Sequence, residues 1–246
     1  MNIYQPTQVL VTAYPDISGV AALMAPNTLQ LALNMVRAFN RSGSAVDVGI
    51  AKLFSSASFS LYTYDGSSTY SAVLPPPLAG SNPATIFNAS GTIGNGFVIQ
   101  SKYKSGLFGF TITQDGSSGV YTYEYWNGTA WSSLTTIAVP VYTSTGTIVT
   151  AFLPPVDWVA GGPAGLSSNL YSIRVKATTL PGASIIVNNL WAGAFLEYYA
   201  SIANNTGVSL EFDYLHPYIL EGGEGIMPYF GGAAAANGMT ISYSTL

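Results

Sequence analysis

The chain has 246 residues, 48% hydrophobic and 13% aromatic, which is enough to bury a core and too apolar for a disordered polymer. Its net charge is −4, and its seven basic residues form no stripe able to neutralise a phosphate backbone, so nucleic-acid binding is disfavoured. It has no cysteine, which excludes disulfides and cysteine-ligated metals and leaves packing or oligomerisation to hold the fold.

Charged residues make up only 7%, against roughly 25% in ordinary soluble proteins. A free monomer normally stays soluble through a charged surface. Obligate interfaces are depleted of charge at their centres, so the deficit points to a surface covered by neighbours. The first residues lack a basic stretch followed by an apolar one, so no signal peptide is expected. No membrane span is expected either. The most apolar stretch, residues 17–39, is interrupted by Pro26, Asn27 and Asn34.

In chain order, residues 8–14 (QVLVTAY) alternate as a strand does. Pro26-Asn27-Thr28 then caps LQLALNMVRAF, which places Leu29, Leu33, Val36 and Phe39 on one face and predicts a short helix over a sheet. Beyond Ser44 the pattern is β. Residues 46–52 and 59–64 read as strands, the second running into an Asp65-Gly66 turn. Pro75-Pro76-Pro77 marks a linker or a long loop.

Further strands are predicted over 96–103, 106–113, 119–126, 147–153, 171–176 and 184–191, with Gly- and Ser-rich separators. Short strands at this spacing predict an all-β fold, a jelly-roll or β-sandwich, which periodicity does not separate from a barrel. A last strand is placed at 208–214. Residues 231–238 are almost wholly Gly and Ala and cannot build a core, so they predict an extended C-terminal arm, either disordered or lying on a neighbouring subunit, and the β character of residues 239–243 favours the second. The expected division is 1–45 as N-terminal strand, helix and arm, 46–215 as the β core, and 216–246 as a C-terminal extension.

Little in the chain points to catalysis. His216 is the only histidine, and its LHPY setting carries no nucleophile motif; G-x-S-x-G is absent. Glu221 with Glu224, and Glu211 with Asp213, lie close in sequence, but no calcium-loop spacing surrounds them, and they read as solvated loop carboxylates. Phosphate-cradling glycine loops are absent as well. N-x-[ST] sequons occur at Asn88, Asn127 and Asn204, as chance allows in so Asn-, Ser- and Thr-rich a chain. No enzyme, cofactor or metal site is therefore expected. The remaining chemical feature is aromatic. Tyr121, Tyr123 and Tyr125 share one strand face, and Trp126 and Trp131 flank the Asn127-Gly128 turn. Such rings either stack on sugars or close a half-buried face or interface.

Residues 108–176 carry FGFTITQDG, GVYTYEYWNGTAWSSL, FLPPVDWV and YSIRVKATT in that order. This series resembles a β-sandwich module found in phage virion proteins and some bacterial surface proteins. Its elements here are the aromatic hairpin at 123–131, the diproline element at 154–158 and the IRV strand at 171–175. The resemblance implies that these elements determine the fold and are not catalytic. On that reading Trp158 plugs one end of the sandwich, and Arg174 pairs with a carboxylate such as Glu124 or Asp157. It also implies a place in the virion. The leading expectation is a capsid decoration (cement) protein on the outer capsid surface, a homotrimer bridging subunits of the major capsid protein. Alternatives are a tail, baseplate or neck component, or a module that binds a host receptor or surface glycan.

Overall fold

The computed structural model describes residues 11–13, 23–73, 83–212, 218–231 and 237–245. The first strands in the chain are β1 (Val11–Ala13), β2 (Leu23–Met24), β3 (Leu31–Asn40), β4 (Val46–Leu53), β5 (Phe59–Tyr64) and β6 (Tyr70–Val73). There follow β7 (Ala84–Phe87), β8 (Gly96–Ser101), β9 (Leu107–Gln114), β10 (Val120–Trp126), β11 (Trp131–Ser133), β12 (Thr136–Ala138) and β13 (Gly146–Phe152). The last are β14 (Tyr171–Thr179), β15 (Ile185–Ile202), β16 (Thr206–Glu211), β17 (Tyr218–Leu220), β18 (Gly225–Phe230) and β19 (Gly238–Thr245). Among the described residues the only helical turn is Ser56–Ser58, so the protein is all-β.

The chain forms two compact units, Met1–Ser55 with Phe195–Leu246, and Ser56–Ala194. These cut the chain differently from the three segments drawn from the sequence, since β4 and β16 belong to the first unit. All of the net charge falls on that unit. The second balances Lys102, Lys104, Arg174 and Lys176 against Asp65, Asp115, Glu124 and Asp157.

In the first unit β3 lies between β19 and β16, with β1 beyond β19 and β17 also on β3. The helix expected over residues 29–39 is therefore a strand. Its misleading period has a physical cause in a β-bulge. Ser242 faces Met35 and Tyr243 faces Leu33, so Asn34 is the extra residue. One inserted residue inverts the alternation, and the buried set passes from Leu31 and Leu33 to Val36 and Ala38. The resulting four- and three-residue gaps imitate a helical stripe, while Leu29 is exposed.

The C-terminal extension also differs from expectation. β17, β18 and β19 pair with strands of their own chain, and Met239 and Ile241 are fully buried in the core around Leu33, Val36 and Ile50. The β pattern expected at residues 239–243 is realised as β19, which pairs with β3 of the same chain and not with a neighbour. Residues 232–236 of the Gly/Ala run, Pro75-Pro76-Pro77, Asp213 and His216 lie outside the described residues, as does most of the strand expected at 8–14.

Glu224 is buried in this unit, not a solvated loop carboxylate. It binds Lys52 Nζ at 2.7 Å and accepts the Glu221 N–H. Burial works to lower the Lys52 pKa, but the Glu224 contact and nearby Tyr218 outweigh it, and the net direction is upward from 10.5. A raised lysine pKa contributes stability that is complete below the unfolded value and is lost as pH rises through the folded one. Glu224→Gln is therefore expected to lower the melting temperature of the first unit at neutral pH. The gap from wild type should narrow above about pH 10.5, and a pH series of melts giving a constant gap would remove Lys52 as the cause.

In the second unit one sheet has the order β11-β10-β14-β8-β5-β6. The other runs β12-β13-β9-β15, with β7 also on β15. Neighbouring strands in both sheets pair antiparallel. Phe97 of β8 packs edge-on against Phe108 and Phe110 of β9, so the sheets face each other across an aromatic core, as in a β-sandwich. Gly109 has no side chain because the Trp191 ring and the Ile148 carbonyl occupy the space of a Cβ.

Candidate functional site

The two faces of β10 divide the candidate residues. Tyr121, Tyr123 and Tyr125 point inward. Tyr123 and Tyr125 are buried, and Tyr121 packs on Phe87 and Tyr142 with ring centroids 4.4 and 4.7 Å apart. The shared tyrosine face is thus a core face and not an open platform. Burial pushes the Tyr121 phenol up to about 12, and it also raises those of Tyr123 and Tyr142, so all three stay neutral at physiological pH.

Trp158 closes this core. It is 2% exposed and meets Tyr125, Phe152 and Tyr171 at 6.4, 6.1 and 5.6 Å between ring centroids. Its neighbour Asp157 accepts the Tyr125 hydroxyl at 2.7 Å, which fixes the diproline loop to β10. Of the two carboxylates considered for Arg174, Asp157 is therefore taken by Tyr125. Arg174 binds Glu124 instead, through Nε at 2.7 Å and Nη2 at 2.6 Å, from the directly opposed position on β14. Lys176 Nζ reaches the other oxygen of Glu124 at 2.9 Å.

This network lies on the outward face of the six-stranded sheet, together with Trp126 and Trp131. The two tryptophans oppose each other across the hairpin and meet edge to face at 5.6 Å. The turn between them is held by Asn127, whose Oδ1 accepts the N–H groups of Thr129 and Ala130. The Arg174 guanidinium is flanked by the rings of Trp131 at 4.5 Å and Tyr64 at 5.2 Å, and Tyr64 stacks on Tyr70 at 4.9 Å. Five side chains from β10, β11, β14, β5 and β6, Trp126, Trp131, Arg174, Tyr64 and Tyr70, thus form one continuous row of contacts across the sheet. Beside it is a cleft of about 300 Å³ lined by Tyr64, Ile93, Gly94, Arg174, Lys176 and Thr178.

The sequence points to Trp126, Trp131 and Arg174 but not to Tyr64, Tyr70 and Lys176. A signal for Lys176 was present, since Arg-Val-Lys puts both cations on one strand face. Tyr64 and Tyr70 come from a hairpin remote in sequence, and only the register of β5 on β8 and β8 on β14 brings them across.

A different feature marks the sheet edge. Val139, Val141, Leu153 and Val159 are exposed, and Val156 is 100% exposed. All five lie in the β12–β13 hairpin or in the diproline loop that leaves it. Among the described residues no three His, Cys, Asp or Glu side chains converge as metal ligands would. No protein-family model matches the chain, and no curated protein matches it either.

Proposed function

We propose that this chain is a non-enzymatic virion structural protein, most specifically a capsid decoration protein that bridges neighbouring subunits of the outer shell as a homotrimer. The observation that carries the reading is the set of exposed aliphatic side chains on the β12–β13 hairpin and the diproline loop, Val139, Val141, Leu153, Val156 and Val159. Exposed apolar side chains mark contact surfaces where they gather, and this chain has little charge to set among them. The diproline loop is also held firmly, by Trp158 in the core and by Asp157 on Tyr125, so Val156 is presented at low entropic cost. Several such contacts on one shell add as avidity and resist internal pressure. A jelly-roll kinship of the second unit is part of the proposal. Along the chain β7, β8, β9 and β10, and later β13, β14 and β15, alternate between its two sheets.

Light scattering of the purified protein, with co-sedimentation on undecorated capsids, tests the reading. A trimer that sediments with capsids is expected, and Val156→Asp should weaken capsid binding about tenfold or more, as loss of a central apolar contact does. A protein that ignores capsids points to a tail, baseplate or neck position. Full binding by Val156→Asp would remove the diproline loop as the contact.

A further inference from the structure

The cleft on the outward face of the six-stranded sheet serves neither the core nor the apolar edge. We propose that it binds a carboxylate-bearing sugar residue, as found in acidic glycans. The site belongs to the second unit alone and does not rest on the assembly reading.

The cleft wall is cationic. Arg174 and Lys176 share the single carboxylate of Glu124, while the carboxylate of nearby Asp65 is engaged by the N–H groups of Ser67, Ser68 and Thr69 on its own turn. Arg174 spends Nε and Nη2 on Glu124, while Nη1 has no hydrogen-bond partner among the described residues. The Lys176 ammonium makes one ion pair, and the side chain is 30% exposed, with donors to spare. Donors of this kind form strong, short bonds to a carboxylate.

The site is also pre-organised. The Trp131 and Tyr64 rings clamp the guanidinium, so little side-chain entropy is lost when an anion arrives.

Size and chemistry narrow the ligand further. A cleft of about 300 Å³ takes one sugar ring and not an extended chain. Ile93 and the edge of Tyr64 offer apolar contact, and Thr178 offers a hydroxyl. The pair of cations suits one carboxylate. A nucleic-acid or other phosphate chain needs a run of cations, which this face lacks.

The test is calorimetric titration of the full chain with galacturonate oligosaccharides and sialyllactose, set against methyl-esterified galacturonan and lactose. At least one acidic sugar should bind, about tenfold or more tighter than its neutral counterpart, and tryptophan fluorescence should change on binding. Lys176→Gln should lose most of that preference while melting close to wild type. Trp131→Phe keeps a ring on Arg174 and should retain it. The proposal is overturned if neither acidic sugar binds, if neutral and acidic forms bind alike, if Lys176→Gln binds unchanged, or if inorganic phosphate or a peptide carboxylate competes equally well.

Discussion

Trp158→Ala should lower the stability of the second unit by about 3–5 kcal/mol, the range for emptying a fully buried aromatic site. The ring is 2% exposed and touches Tyr125, Phe152 and Tyr171, which come from both sheets. A void there opens at the junction of the layers, where neither sheet can move in without breaking its own ladder. Trp158 Nε1 is buried with no partner among the described residues, so the native protein already carries the cost of an unpaired donor. Trp158→Phe removes that donor and keeps much of the volume, and it should cost less than half as much as alanine. Urea unfolding of both variants measures this directly. A loss below about 1 kcal/mol for Trp158→Ala would mean that the loop, and not the ring, closes the core. Because Asp157 and Val156 precede this anchor directly, the alanine variant should also lose capsid binding under conditions where it remains folded.

Much of the second unit was legible in the sequence because its strands bury one face and expose the other, and period-two alternation survives in the residues. β5, β10, β13 and β14 fall within a few residues of where alternation placed them. Alternation failed where the backbone departed from regular pairing. In β3 the bulge at Asn34 inverted the pattern and produced a false helical stripe. In β15, Ile185–Ile202, register shifts near Ile186 and Asn188 break the alternation, and the strand expected from the sequence ends at Trp191, eleven residues short. At the C-terminal end the β character of residues 239–243 is legible and β19 forms there, but local pattern does not say that its partner is β3 of the same chain and not a neighbouring subunit.

The candidate site was legible only in part, and the reason is again register. That the three tyrosines share a face follows from spacing alone, but which face is inward depends on the opposing sheet. Trp126 and Glu124 take the outer side because Tyr125 and Tyr123 take the inner one. The sequence left Glu124 and Asp157 as equal partners for Arg174. Cross-strand pairing of β10 with β14 sets Glu124 opposite Arg174, while Asp157 sits in a loop tied to Tyr125.

The Arg174–Glu124 pair provides the second large effect, and a set of variants separates its roles. The two side chains are 10% and 14% exposed, so neither charge is well solvated. Removing one partner leaves the other almost buried and uncompensated, which costs about 3–5 kcal/mol in a fully buried pair. Here the partial exposure and the second cation, Lys176, reduce the expected cost of Glu124→Gln to about 2–4 kcal/mol. Arg174→Ala should destabilise too, partly because the rings of Trp131 and Tyr64 lose the plane between them. Replacing both partners by apolar residues, Glu124→Leu with Arg174→Met, should recover stability to within about 1 kcal/mol of wild type, because buried ion pairs add little over packed side chains of similar size. A double variant no more stable than the singles would show that the pair itself supports the fold, and a structural role alone would then explain it. Recovered stability with loss of acidic-sugar binding would mean that the charges serve the cleft, since the sheet would stand without them.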